Sequence, residues 1–143
     1  IARAKADAYL PMINNNELII TADTIVWLNG LVMGKPKNET EACDMLRRLS
    51  GHTHQVVTGV CITTRNKQKC FATVTDVTFA NLSEEEINHY VTQYKPMDKA
   101  GAYGIQGRGA LLVKRINGDY YNVMGLPVCR LWKILKELAP ELF

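Results

Sequence analysis

Apolar residues recur along this chain with two spacings, and each switch from one to the other marks an element. IARAKADAY is rich in strong helix formers and predicts an opening helix, which NNNE ends. LIITADTIVWLNGLVMG predicts an apolar strand, an interruption at Asp23 and a second strand, with Asn29-Gly30 as a two-residue hairpin signal. In KPKNETEACDMLRRLSG the rhythm changes. Ala42, Met45, Leu46 and Leu49 share one helical face, Asn38 with Glu41 makes a capping-box-like start, and Gly51 stops the helix. HQVVTGVCITT and KCFATVTDVTF are rich in β-branched residues and predict a long antiparallel pair joined around Arg65-Asn66-Lys67. SEEEINHYVTQY predicts a helix capped by Ser83 and Glu86, buried through Ile87, Tyr90, Val91 and Tyr94, and ended by Pro96. ALLVKRING reads as a strand, and Pro127 opens a last helix with Val128, Leu131, Trp132, Leu135 and Leu138 turned inward. Hairpins mixed with helices predict an α/β or α+β fold with a mixed sheet.

Composition narrows this picture. A length of 143 residues, a hydrophobic share of 47% and a charged share of 22% fit one soluble globular domain spanning residues 1–143. The net charge of +3 permits an anionic ligand but falls short of a nucleic-acid binder, and no basic stripe with interleaved aromatics appears. No apolar run is long enough to span a bilayer, and no signal peptide opens the chain. Cys43, Cys61, Cys70 and Cys129 are scattered without a CxxC pair and read as reduced thiols of a cytoplasmic protein. The chain opens in mid-helix without methionine, so a preceding segment is expected.

Four stretches are candidates for chemistry. Aspartate is depleted in strands, so Asp23 in TADT needs a reason: it either binds a cation or takes a proton from water, or it is a turn residue bonding its own backbone. In GKP, Pro36 stiffens the backbone of Lys35, which suits a phosphate contact, the alternative being a solvated lysine before a helix. DKAGAYGIQGRGA holds Gly101, Gly104, Gly107 and Gly109, either a flexible turn or a backbone brought close to a ligand. Its G-x-x-G-x-G reverses the dinucleotide fingerprint and lies between helix and strand, which excludes that reading. Gln106 offers a donor and an acceptor that match the N3–H and O4 edge of uracil or thymine. Its amide can flip, so Gln106 alone does not exclude cytosine. Asp98 and Lys99 add a carboxylate and a cation, or a solvated salt bridge. His52 and His54 in HTH would share one side of a strand, a metal pair or two ordinary polar residues, and no third ligand is evident; His89 reads as helical.

Taken in order, TADTIV, GKP followed by A-x-x-M-L-x-x-L-S-G-x-x-H-x-V-x-T-G, DKAGAYGIQG and GDYYNVMGLP resemble the Maf family of nucleotide pyrophosphatases from Lys5 to the last helix. The resemblance implies an α/β fold like that of inosine triphosphatases, a long curved mixed sheet flanked by helices with the site in a central cleft. It also implies hydrolysis of nucleoside triphosphates to monophosphate and pyrophosphate with a divalent cation, Mg²⁺ or Mn²⁺. By position, Asp23 matches the family's proton acceptor and a metal contact, and Lys35 and Lys5 match its phosphate-binding lysines. Thr24 and Gln106 match positions that set base choice, and ADT with YGIQG looks like the dTTP/UTP branch, not the 7-methyl-GTP branch. Asp98 and Lys99 are expected to border the substrate, Lys99 on a phosphate. The family's N-terminal strand, its Ser- and Arg-rich phosphate loop and an upstream glutamate have no counterpart here: either the chain is truncated or that part lies outside this sequence, and a protein truly without the loop is expected to show little or no turnover. A homodimer is common in the family, and a non-catalytic nucleotide-binding regulator of cell division is the competing function.

Overall fold

In the computed structural model, residues 1–142 are described. Five strands form one sheet in the order β2-β1-β3-β4-β5. They are β1 (Ile19–Leu28), β2 (Leu31–Met33), β3 (Thr53–Thr63), β4 (Gln68–Phe79) and β5 (Val113–Asn117). All four pairings are antiparallel, where a mixed sheet was expected. The reason lies in the strand order: β1–β2 and β3–β4 are tight hairpins, the helix between β4 and β5 brings β5 back antiparallel to β4, and β2 and β3, which run in the same direction, are kept apart by β1 and do not pair.

Asp23 does not interrupt β1. Continuous pairing from Ile19–Thr63 to Trp27–Gln55 carries the strand through it, opposite Gly59. A ladder of this length outweighs aspartate's weak strand preference. β2 pairs only with Val26 to Leu28, and no described strand covers that edge of β1 from Ile19 to Ile25.

Helices cover both faces. α1 (Ala2–Tyr9) sets Ala2 and Ala6 on Cys61. On the other face, α2 (Glu39–Leu49) and α3 (Glu84–Tyr94) bury Leu46, Leu49, Ile87 and Val91 against Val26, Val56, Val77 and Phe79. The caps of both helices form as expected: Asn38 accepts from the Glu41 N–H, and Ser83 and Glu86 complete a reciprocal box. Further along the same face, α5 (Val128–Leu138) places Leu131 and Ile134 on Val60 and Ile62. A short α4 (Tyr120–Met124), capped by Asp119 and closed by Gly125, sits between these two cores.

The helix faces deviate from the periodic reading. Tyr94 is 46% exposed and stacks on Tyr90, because α3 ends there, beyond the edge of the core. Val128 and Trp132 lie on the solvent side of α5, since the stripe that meets β3 runs Leu131, Ile134, Leu135, Leu138. The expected strand ALLVKRING begins only at Val113; residues before it form a 3₁₀ turn from Gly107 to Leu112. The cysteine reading is corrected as well. Cys61 and Cys70 face each other in the β3–β4 register and form a disulfide, while Cys43 and Cys129 are free thiols. Among the described residues no helix is long and apolar enough to cross a membrane.

Candidate active site

Between the two cores on the α2–α5 face lies a cleft of about 610 Å³, within the range of small-ligand sites. Its lining includes Asp23, Thr24, Lys35, Asp98, Lys99 and Gln106, and Lys5 reaches it through Asp23. All seven residues singled out in the sequence therefore converge. Strand alternation puts Asp23 on the α1 face of β1 and Thr24 on the face of α4. The cleft opens along the edge of β1 that β2 leaves uncovered, so it borders both.

Asp23 is a ladder residue, not a turn residue, so its side chain is free of its own backbone. The Lys5 ammonium donates to its Oδ1 at 3.3 Å and to the Ala22 carbonyl at 3.0 Å. With side-chain exposures of 49% and 28%, this pair contributes little to stability and leaves both groups able to meet a ligand. Gly59, opposite Asp23, adds no side chain there and leaves the space open.

Lys35 stands on a bend anchored at both sides. Pro36 is buried, and the Gly34 carbonyl accepts the Gly101 N–H at 3.1 Å. That bond ties the lysine loop to the glycine segment. Gly101 has φ +73°, and a Cβ there would lie 3.1 Å from the Val26 side chain. Gly109 is likewise required by packing, since a Cβ would collide with the Gly104 carbonyl. These two glycines let the segment close on its own protein, while Gly104 and Gly107 line the cleft and Gly107 has open space around it. The folded segment leaves Gln106 exposed on the cleft beside buried Ile105. Asp98 and Lys99 meet at 3.5 Å. Lys5, Lys35 and Lys99 thus oppose two carboxylates, a balance that favours an anion.

Sequence reasoning missed the residues behind the cleft. Tyr103 lines it, and its hydroxyl lies 2.7 Å from His54 Nε2. Both rings pack edge-on with Phe79. Burial pushes the His54 imidazole down to about 4 and raises the Tyr103 hydroxyl well above its ordinary range, so both are neutral. His54 is therefore a structural residue, while His52 is exposed with Nδ1 2.7 Å from the Ser50 carbonyl. The HTH metal pair does not form, and among the described residues no group of three or more His, Cys, Asp or Glu is placed to hold an ion.

Thr24 Oγ1 is 2.9 Å from Thr58 Oγ1, its cross-strand partner. Thr58, fully buried, donates to the Asn122 carbonyl at 3.0 Å. The Asn122 amide, also fully buried, donates to the Val56 and Thr73 carbonyls and to Thr75 Oγ1. Both residues lie inside the motifs T-G and GDYYNVMGLP, but a single sequence gives no sign that they meet.

Comparison with known proteins places the chain in a family. The pattern of the Maf-like protein family matches residues 1–138. A dTTP/UTP pyrophosphatase of Phocaeicola vulgatus is 61% identical over 139 residues, 96% of this chain and 72% of that protein. One from Bacteroides fragilis is 59% identical over the same shares. One from Bacillus velezensis is 52% identical over 137 residues, again 96% and 72%.

Proposed function

The chain belongs to the Maf-like protein family, and from that premise we propose that it is a nucleoside triphosphate pyrophosphatase acting on dTTP and UTP. The observation that carries this reading is the convergence of Asp23, Thr24, Lys35, Lys99 and Gln106 on one cleft large enough for a nucleotide.

The triphosphate lies with its phosphates toward Lys35, Lys99 and Lys5, whose charges offset its own. Asp23 accepts a proton from a water molecule as its oxygen attacks the α-phosphorus. A new P–O bond forms, the α–β anhydride bond breaks, pyrophosphate departs and the monophosphate remains. Positioning and electrostatics supply most of such an acceleration. The donor set suits a hard divalent cation carried by the substrate: Asp23, with Asp98 nearby on the cleft, offers carboxylate oxygen, and phosphate oxygens complete such a shell. Bound there, Mg²⁺ or Mn²⁺ supplies Lewis-acid polarisation of the phosphoryl oxygens. Gln106 and Thr24 face the base.

The test is steady-state kinetics of the full-length protein with dTTP, UTP, dCTP, dATP and dGTP, detecting pyrophosphate with Mg²⁺ and with Mn²⁺. Release of pyrophosphate, fastest from dTTP and UTP, supports the reading. Tight dTTP binding without product overturns it in favour of a non-catalytic nucleotide-binding regulator.

A further inference from the structure

We propose that Gly104 is a positioning residue: the side chain it lacks leaves a track for the Lys99 stem, and that track sets the Lys99 ammonium where it meets the triphosphate. This deepens the functional reading above and rests on it.

Charge does not hold Lys99 in place. Its ion-pair partner, Asp98, is its neighbour in sequence at 3.5 Å, and the two side chains are 48% and 75% exposed. Such a pair contributes little and fixes no geometry. A lysine ammonium rides on a flexible four-carbon stem, so without a tether it spreads over many rotamers. Contact with Gly104 supplies the confinement. A Cβ on Gly104 would lie 2.9 Å from Lys99 Cε, 3.0 Å from Cδ and 3.9 Å from Nζ. The stem thus crosses the bare Cα of Gly104 with no room for a methyl group, and both residues line the cleft.

The track itself is fixed. The Gly104 N–H donates to the Tyr90 hydroxyl of α3 at 3.2 Å. Its carbonyl lies against buried Gly109, where a Cβ would collide with it. The next residue, Tyr103, is anchored by its hydroxyl 2.7 Å from buried His54 Nε2. A methyl group placed on Gly104 therefore meets a held backbone on one side and the free end of a lysine on the other, and the lysine yields. The Gly104 backbone lies outside the left-handed region, so alanine fits it without strain. Gly104→Ala separates positioning from folding: the fold stands, and the ammonium leaves its line. Misplacing a positioned group by about 1 Å costs up to about a hundredfold in rate.

The experiment is a double-mutant cycle on the full-length protein, reading kcat/KM for dTTP with Mg²⁺ beside the urea midpoint of each variant. Gly104→Ala should lower kcat/KM by about tenfold while its urea midpoint stays at or above that of the wild type. Lys99→Met keeps the stem, removes the charge and should lower kcat/KM by about ten- to a hundredfold. The double variant should match Lys99→Met within about twofold, because no ammonium remains to be misplaced. A purely structural role for Gly104 would instead multiply the two losses, and that result overturns the inference. So does wild-type kcat/KM in either single variant, or a Gly104→Ala protein that fails to fold, since the backbone and not the lysine would then take up the methyl group. Each of these leaves the hydrolase reading intact. Absence of dTTP turnover by the wild-type protein overturns the hydrolase reading itself, and this inference with it.

Discussion

Asn122→Asp changes one NH₂ group to oxygen with almost no change in shape, and it should be among the most damaging substitutions in the protein. The Asn122 amide nitrogen faces three oxygens, the carbonyls of Val56 at 3.1 Å and Thr73 at 3.0 Å and the Thr75 hydroxyl at 3.0 Å. Its own carbonyl Oδ1 accepts no hydrogen bond among the described residues. A carboxylate there loses two donated bonds, about 1 kcal/mol each, and sets an uncompensated buried charge against oxygen lone pairs, a further cost of about 3–5 kcal/mol. The chain responds by protonating the new acid, so its folded pKa rises far above the unfolded value near 3.9. The folded state then binds more protons than the unfolded state, and stability falls as pH rises, by about 1.4 kcal/mol per pH unit until the folded pKa is passed. Urea denaturation of both proteins at pH 5 and pH 8 measures this. Asn122→Asp should lower stability by several kcal/mol at pH 8 and by distinctly less at pH 5. A midpoint within about 1 kcal/mol of wild type at pH 8, or a loss that does not grow with pH, refutes the claim that this amide is held as a donor among three acceptor oxygens.

Other outcomes follow from the same geometry. Asp23→Asn should shift the urea midpoint little, since its partner Lys5 is half exposed, yet lower kcat by about 10²–10⁴; wild-type turnover would remove Asp23 from the base role. His54, pushed down to about 4 by burial, binds its proton in the unfolded chain first as pH falls below about 6.5, so stability should be lost between pH 6.5 and 4. His54→Phe should lose less stability than wild type over that window by thermal melting, and an equal loss would assign the acid sensitivity to other groups. The Cys61–Cys70 disulfide closes a loop of sequence separation 9, so reduction should cost about 2–3 kcal/mol; an unchanged urea midpoint in reductant would contradict it.

What could be read in the sequence was what local chemistry decides. The Asn38 cap, the Ser83–Glu86 box and the β3–β4 hairpin are each specified within a few residues, and each formed as expected. The cleft residues were found because their motifs occur in order along the chain, and folding brings Asp23, Lys35 and Gln106 together. What failed depended on register or on long-range contact. Cys61 and Cys70 look unrelated until the hairpin register sets them opposite each other. α4 is too short for periodicity and is defined by Asp119 and Gly125 at its ends. Trp132 has the spacing of a buried residue, but the stripe of α5 that packs on β3 runs through Leu131 and Ile134 and leaves Trp132 half exposed. Thr58 and Asn122 meet across 64 positions, a distance over which no single-sequence pattern carries information.

The most direct measurement follows dTTP by ³¹P NMR during turnover by the full-length protein with Mg²⁺. Cleavage between the α- and β-phosphates predicts that the three triphosphate resonances are replaced by those of dTMP and pyrophosphate alone. Appearance of dTDP with inorganic phosphate, or a triphosphate spectrum that persists while the nucleotide is bound, would contradict the account.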